Sequence, residues 1–367
     1  MRRALRIGRL FGIEIRVDPS WLLIFALVTA SLTSLFGSVF FAAGAALAFF
    51  VSVLLHELAH SFVARLYGIP VRDITLHMFG GVSNIEREPP TPRAELLIAI
   101  VGPLASFAIG AMLLFFGGGH RLAQWLGPIN ITLGVFNLIP GFPLDGGRIL
   151  RSLLWQGTGD LKRATRWAGL AGQGVGWAFI ALGAMMALGR VVPFFGTGIG
   201  GGLWLALIGM FLRNAAAQHL AGQALFERLE GVRVVDLMRN NGPWVEVSTP
   251  GSAAAHAFLS NDASAMPVFA AGRFVGILTL SDLRRARHLP AAYVRDLMTP
   301  LERLTVTTPD TALSEALRAL AAAERDEVAV VHDGALAGML FEQDIARWLE
   351  LERTERPMPR ILHRPHA

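Results

Sequence analysis

The sequence predicts an α-helical polytopic membrane bundle of about six transmembrane segments, followed by a smaller α/β domain. Three observations predict this class. The chain has 367 residues, 53% of them hydrophobic, with a mean hydropathy of +0.48, which is too apolar for an ordinary soluble protein. The apolar excess is uneven: residues 20–215 consist of long apolar runs, whereas 225–367 carry regularly spaced charges. The polar part also contains an internal repeat of short β-type runs and helical stretches.

The N-terminus is basic, with Arg2, Arg3, Arg6 and Arg9, and Glu14, Arg16 and Asp18 precede the first apolar run. No small-residue cleavage site closes a short apolar region, so a retained anchor is expected rather than a cleaved signal. The apolar segments run roughly over 20–36, 38–64, 94–117, 128–155, 167–189 and 199–213. Arginine placement orients them. The N-terminal tail, the 65–93 loop (Arg65, Arg72, Arg87, Arg93) and the 156–166 loop (Lys162, Arg163, Arg166) are basic, while the alternate loops hold Arg121 and Arg190. Both termini and the polar domain are therefore expected in the cytoplasm, with the chain multi-pass in a plasma or bacterial inner membrane. Lys162 is the single lysine, and the net charge of +5 is carried by arginine. No basic stripe with interleaved aromatics suggests a nucleic-acid partner. The absence of cysteine excludes disulfides, thiolate metal sites and cysteine nucleophiles.

Between the second and third segments, Val71 to Met78 alternates in character, and Gly80-Gly81 and then Val82 to Ile85 follow. This reads as a hairpin or sheet edge, able either to pair with an extended peptide or merely to connect. The fourth segment contains Asn137-Leu-Ile-Pro140-Gly141-Phe-Pro143-Leu-Asp145-Gly146-Gly147-Arg148. It cannot continue a straight helix. Broken backbone at membrane depth is tolerated where it is buried in protein or lines a wet cavity. In the polar domain, Val235-Asp236-Leu237-Met238 returns as Arg295-Asp296-Leu297-Met298, and Gly276 to Asp282 returns as Gly338 to Asp344. Two copies packed as a pair are expected, the first with a shortened helix before Met266. The domain boundaries read as 1–220, 221–289, 290–353 and a tail at 354–367.

The chemistry lies in His56-Glu57-Leu58-Ala59-His60, an HExxH sequence ending the uncharged run Val39 to Leu55. On a helix the two imidazoles share a face and can reach one metal ion, with Glu57 as general base. Ionisable groups in such a run are expensive and point to function. If the helix enters near Val39, His56 lies roughly 26 Å along it, close to one boundary of the hydrocarbon core. A zinc hydrolase needs a third protein ligand. Position 66 is leucine and position 80 glycine, so neither common HExxH spacing supplies one. Glu86, Glu88 and Glu95 lie in or just after a polar loop. Asp145, on its glycine-flanked turn, is the preferred candidate.

These residues resemble the site-2 protease family of intramembrane zinc metalloproteases, in the group that carries a C-terminal pair of cystathionine-β-synthase (CBS) domains. HELAH matches the family's HExxH, Leu144-Asp145-Gly146 its LDG motif preceded by Asn137-x-x-Pro140, and Gly80-Gly81 its membrane-associated β-hairpin. The resemblance spans about residues 10–215, and the CBS likeness about 230–350. It implies that His56, His60 and Asp145 bind one Zn2+, which polarises the scissile carbonyl. It further implies that Glu57 takes a proton from the attacking water and gives it to the leaving amine. Asn137 is then either a donor to substrate backbone or oxyanion, or a cap for carbonyls of the broken helix. Gly80 and Gly81 would offer backbone partners to the substrate. The implied activity is regulated intramembrane proteolysis of a single-pass membrane protein, such as an anti-sigma-factor-like precursor, cut near the cytoplasmic face.

CBS pairs often bind adenine nucleotides (ATP, ADP or AMP) and commonly dimerise, so a homodimer is expected. Thr279-x-x-Asp282 fits the nucleotide signature; in the second copy Phe341 replaces the hydroxyl residue before Asp344. A purely structural pair without nucleotide is the competing expectation. His77 reads as a loop residue, Arg148 as a boundary marker, and His120, His219, His256, His288, His332, His363 and His366 show no shared ligand spacing. A CBS-gated transporter or channel is the alternative for the whole chain. It must treat HExxH and LDG as coincidence, and no matched inverted repeat of broken helices is visible.

Overall fold

The computed structural model describes residues 4–354, apart from 79, 86, 230, 286–291 and 324. The chain divides into two compact units, Met1–Gln223 and Ala224–Ala367.

The first unit opens with a hairpin of β1 (Leu5–Leu10) and β2 (Ile13–Val17) that sequence analysis reads only as a basic tail. The signal was the short alternation in β2, where Ile13 and Ile15 are buried while Glu14 and Arg16 face outward and pair at 2.9 Å. Phe11 and Gly12 turn the chain at φ 50° and 79°. Strand β2 pairs in parallel with β3 (Val71–His77), which pairs antiparallel with β4 (Gly80–Ile85). The order β1-β2-β3-β4 leaves β4 at an edge. The two glycines are not the turn of this hairpin: Gly80 and Gly81 begin β4, opposite His77 and Leu76. His77 is accordingly a strand residue rather than a loop residue. Burial pushes its imidazole pKa down, against the opposing pull of Asp18.

The helices of this unit are α1 (Ser20–Phe36), α2 (Val39–Leu66), α3 (Pro92–Phe116), α4 (Arg121–Asn137), α5 (Asp145–Thr158), α6 (Leu161–Ala187) and α7 (Ile199–Arg228). Helices α2, α3, α6 and α7 are each long and apolar enough to cross a membrane, and α1 is a shorter apolar helix. Helix α2 stops at Gly68, which adopts φ 72° while Ile69 N–H bonds back to the Ala64 carbonyl. Helix α3 starts under a Thr91 cap, whose hydroxyl accepts from Ala94 N–H at 3.2 Å, with Pro92 in the first turn. The sheet covers the C-terminal half of α2 through Ile13, Ile15, Val71 and Ile74, packed with Leu58, Ala64, Ile98 and the connecting Ile69.

The expected fourth segment is two helices. Helix α4 starts at Arg121, carries Pro128 inside it and ends at Asn137; α5 starts at Asp145. Pro140, Gly141 and Pro143 cannot be helix interior, so the chain breaks there. Glycines set several of the closest approaches. A Cβ on Gly110 of α3 would lie 2.8 Å from the Gly127 carbonyl of α4. On Gly176 of α6 it would lie 2.7 Å from the Gly209 carbonyl of α7.

The second unit is built from two copies of one motif. A single turn, α8 (Val234–Leu237), leads to β5 (Val245–Glu246), α9 (Gly251–Ser260), β6 (Ala265–Ala270), β7 (Arg273–Thr279) and α10 (Leu280–Arg285). The second copy has α11 (Val294–Leu297), a two-residue strand β8 (Thr299–Pro300), β9 (Val306–Thr307), α12 (Leu313–Ala323), β10 (Glu327–His332), β11 (Ala335–Phe341) and α13 (Glu342–Thr354). The repeated aspartates have a local reason. Asp236 accepts from Arg233 N–H at 2.8 Å and Asp296 from Tyr293 N–H at 3.1 Å, capping the single turns. The hairpins turn through Ala271-Gly272 and Asp333-Gly334, all at positive φ. The expected shortening of the first copy's helix amounts to one residue, 10 in α9 against 11 in α12.

The copies exchange their leading segments. Arg239 and Met339 form a two-way backbone pair at 2.8 and 3.0 Å, and β8 pairs with β7 of the first copy. Each copy therefore completes the other's sheet. A shared core of Ala265, Phe274, Ile277, Ala329, Met339 and Phe341 lies between them.

Candidate metal centre

Helix α2 presents His56 and His60 one turn apart, both buried. The break after α4 returns Asp145 to them as the first residue of α5. His56 Nε2 and His60 Nε2 each lie 3.1 Å from Asp145 Oδ2 and 3.1 Å from one another. An ion held at the zinc–ligand distance of about 2.0 Å in a tetrahedron has donors about 3.3 Å apart, so the three donors fit zinc and leave a fourth position. Of the acidic residues weighed as ligands, Glu86 lies outside the described residues and Glu95 is elsewhere. Glu95 is not a loop residue: it is fully buried in the first turn of α3 and ion-paired with Arg151 of α5.

The imidazoles are oriented by α3. The His60 Nδ1–H donates to the Ile98 carbonyl at 2.6 Å, and His56 Nδ1 bonds the buried Ser106 hydroxyl at 2.9 Å. Both bonds hold the Nε2 lone pairs toward Asp145. Gly102, on the same helix, provides the space: a Cβ there would stand 2.2 Å from His60 Nε2 and 2.7 Å from His56 Nε2. Ile98, Gly102 and Ser106 were not legible as site residues. Their spacing of four marks one helix face, but nothing in an apolar run says which face meets a metal.

Asp145 is placed by its neighbours. A Cβ on Gly146 would lie 2.3 Å from the Ile139 carbonyl, and one on Gly147 would lie 2.4 Å from Gly141 and Phe142 backbone atoms. The LDGG sequence is thus a tight backbone fold that side chains would open. The Arg151 Nε–H donates to Glu95 Oε1 at 2.6 Å, locking α5 to α3 one turn and a half beyond the aspartate. Asn137, at the end of α4, donates from Nδ2 to the Leu133 carbonyl at 3.1 Å.

Glu57 points to the sheet. Its Oε2 accepts from the Ser83 hydroxyl of β4 at 2.7 Å. Gly81 also faces it, since a Cβ at 81 would lie 2.5 Å from Glu57 Cγ. Glycine at 81 is thus required by the close approach of the edge strand to the carboxylate.

In the second unit, Asp282 Oδ2 accepts from the Thr279 N–H at 3.0 Å and from its hydroxyl at 2.7 Å, and Arg285 pairs with Oδ1. Nearby, Arg303, Leu304, Thr305, Arg325 and Glu327 line a cavity of about 170 Å³. Asp344 differs: Arg239 grips both its oxygens, with Nε at 2.8 Å from Oδ2, and lies over the Phe341 ring at 5.0 Å.

Burial pushes the Glu327 carboxyl up to about 7, with Arg325 opposing and Asp326 and Asp282 reinforcing the rise. The folded pKa exceeds the unfolded one, so this carboxyl's contribution to stability is greatest at low pH. That contribution falls as pH rises from about 4.5 to about 7 and then levels. Amide protection factors in β10 should drop between pH 5 and pH 7.5, and Glu327→Gln should flatten that dependence; an unchanged slope would contradict it.

Comparison with known proteins agrees with both units. The peptidase family M50 model matches residues 44–120 and 117–180, and the CBS domain model matches 234–289 and 294–351. The Rip3 protein of Mycobacterium tuberculosis, assigned as a zinc metalloprotease, is 34% identical over 100% of this chain and 98% of its own length. Zinc metalloprotease MJ0392 of Methanocaldococcus jannaschii is 32% identical over 96% of this chain and 97% of its own. The solved site-2 protease from Methanocaldococcus jannaschii aligns with 59% of this chain and 95% of its own, at 33% identity and a TM-score of 0.46. The solved complex of CBSX2 with AMP aligns with 34% of this chain and 99% of its own, at 26% identity and a TM-score of 0.31.

Proposed function

This chain belongs to peptidase family M50 as a site-2-protease-type zinc metalloprotease with a CBS pair, and from that premise we propose that it cuts a single-pass membrane protein close to the cytoplasmic face. The observation that carries the proposal is the convergence of His56, His60 and Asp145 beside Glu57. When bound, zinc supplies a Lewis acid for the scissile carbonyl and lowers the pKa of water.

The chain's own residues do the rest. His56, His60 and Asp145 hold the ion, and Glu57 removes a proton from the attacking water and delivers it to the leaving amine nitrogen. A transmembrane substrate hides its peptide bonds in helical hydrogen bonds and must unwind first. The edge strand β4, beginning at Gly80 and Gly81, offers replacement partners to the extended backbone. The second amide hydrogen of Asn137, the first being spent on Leu133, serves the substrate backbone or developing oxyanion.

Topology supports the location. With α4 and α5 together supplying one of six crossings, the arginine-rich loops and both termini fall on one side, which is the cytoplasm of a plasma or inner membrane by the positive-inside rule. The CBS pair then lies with the released cytosolic fragment, as regulated proteolysis of an anti-sigma-factor-like precursor requires. An adenine nucleotide at Thr279 and Asp282 tunes the activity, with Asp344 as the corresponding nucleotide-facing residue of the second copy. The pair also supplies a homodimer contact. The proposed domain limits are 1–220, 221–289 and 290–353 with a tail at 354–367, the first limit three residues before the division of the compact units at Gln223.

Co-reconstitution with a single-pass substrate in vesicles tests this reading. Cleavage on the arginine-rich side, lost with a zinc chelator and restored by Zn2+, is expected. Chelator-insensitive cleavage, or none toward any single-pass substrate, would overturn it. Asp282→Ala should weaken binding of adenine nucleotide at least about tenfold, read by calorimetry, because it removes a charged acceptor for the ribose hydroxyls. Unchanged affinity would move the nucleotide elsewhere.

A further inference from the structure

The edge strand touches the general base directly. Ser83 lies on β4 opposite Ile74 of β3, and its side chain turns inward to α2. The hydroxyl donates to Glu57 Oε2 at 2.7 Å and receives a bond from the fully buried Ser61 hydroxyl at 3.3 Å. Ser61 belongs to α2, one residue beyond His60. The chain Ser61–Ser83–Glu57 therefore ties the metal-bearing helix, the substrate-facing strand and the base into one hydrogen-bonded unit. Gly81 flanks Glu57 on the same strand face, since β-strand side chains two residues apart share a face.

We infer that Ser83 is a positioning residue for the peptidase reaction: it fixes one carboxylate oxygen of Glu57 and sets the base in register with a peptide paired to β4. The inference rests on the zinc-peptidase reading above. Its physical content is twofold. A glutamate side chain has three rotatable bonds, and a charge-assisted bond to one oxygen selects the rotamer in which the other faces the reacting water. Because the donor sits on the strand that receives the substrate backbone, displacement of that strand moves base and peptide together. Ser83 contributes nothing to holding the metal and does not touch the scissile bond.

The loss of one such bond should lower kcat about 10- to 100-fold in Ser83→Ala. KM should stay within about twofold of wild type, because the backbone of β4 is intact. Ser83→Thr, which keeps the hydroxyl, should recover most of kcat. Zinc content should equal that of wild type in both variants. A second readout needs neither substrate nor metal. In metal-free protein, the infrared band assigned to Glu57 by its loss in Glu57→Gln should shift in Ser83→Ala and return in Ser83→Thr. A Glu57 band unmoved by Ser83→Ala overturns the inference even if the chain proves inactive on every substrate tried. So does a Ser83→Ala enzyme with wild-type kcat, or a loss confined to KM. Failure of wild-type cleavage itself, with the band shift present, would count against the peptidase reading and not against the role of Ser83.

Discussion

Replacing Gly102 by alanine should empty the metal centre while leaving the protein folded. The new methyl carbon would stand 2.2 Å from His60 Nε2, 2.4 Å from its Cε1 and 2.7 Å from His56 Nε2. The two Nε2 atoms are the ones on which coordination depends, and the methyl would stand against both. The imidazoles cannot retreat without breaking the bonds from Nδ1 to the Ile98 carbonyl and the Ser106 hydroxyl. In the helix itself, alanine is favoured over glycine by about 1 kcal/mol, which offsets part of the local crowding. Zinc should therefore fall from one equivalent to under about a tenth, and cleavage to background, with helical content retained. Zinc measured by mass spectrometry on purified protein checks this; a Gly102→Ala protein that keeps a full equivalent would show that the donors do not meet where the geometry puts them.

Glu57→Gln should have the opposite signature: metal kept, chemistry lost. Glu57 is not among the converging donors; its carboxylate faces Ser83 and Gly81 of β4. Glutamine preserves shape and an acceptor for the Ser83 hydroxyl but cannot take a proton at neutral pH. General acid–base catalysis contributes about 10²- to 10⁴-fold, so kcat should drop by that order with substrate binding nearly unchanged. Paired with Gly102→Ala, it separates the two halves of the site: one variant loses the ion and the other only the proton transfer. Cleavage by Glu57→Gln within about tenfold of wild type would remove Glu57 from the mechanism.

Much of this site can be read from residue types. HExxH in an uncharged run announces a metal because three ionisable groups there have no cheaper explanation, and the broken LDGG segment announces a turn because proline and glycine cannot do otherwise. The supporting residues are silent for an equally physical reason. Gly102 and Ser106 are small residues in an apolar helix, where small residues are common at helix contacts. Their role depends on which helix lies opposite, which is tertiary information. Glu95 is a case of the same kind. A carboxylate just after a polar loop looks solvated, yet Arg151, more than fifty residues later, makes it a buried clasp between α3 and α5.

The strands show a related limit. The alternation in β2 spans five residues, below the length at which a period of two stands out, and its partner β3 is more than fifty residues away. Gly80-Gly81 reads as a turn because glycine pairs usually are. Here Gly81 serves close approach to Glu57. In the second unit, the repeated Asp-Leu-Met was visible as a repeat, but not the exchange of leading segments that it caps.

The central claim is that one ion is held by His56, His60 and Asp145. X-ray absorption at the zinc edge, together with metal content, on the purified full chain and on Asp145→Ala tests it most directly. One zinc per chain, with two imidazole nitrogens and a carboxylate oxygen in its shell and the ion lost from Asp145→Ala, is the predicted result. A wild-type chain without zinc, or an unaltered zinc shell in Asp145→Ala, would contradict it.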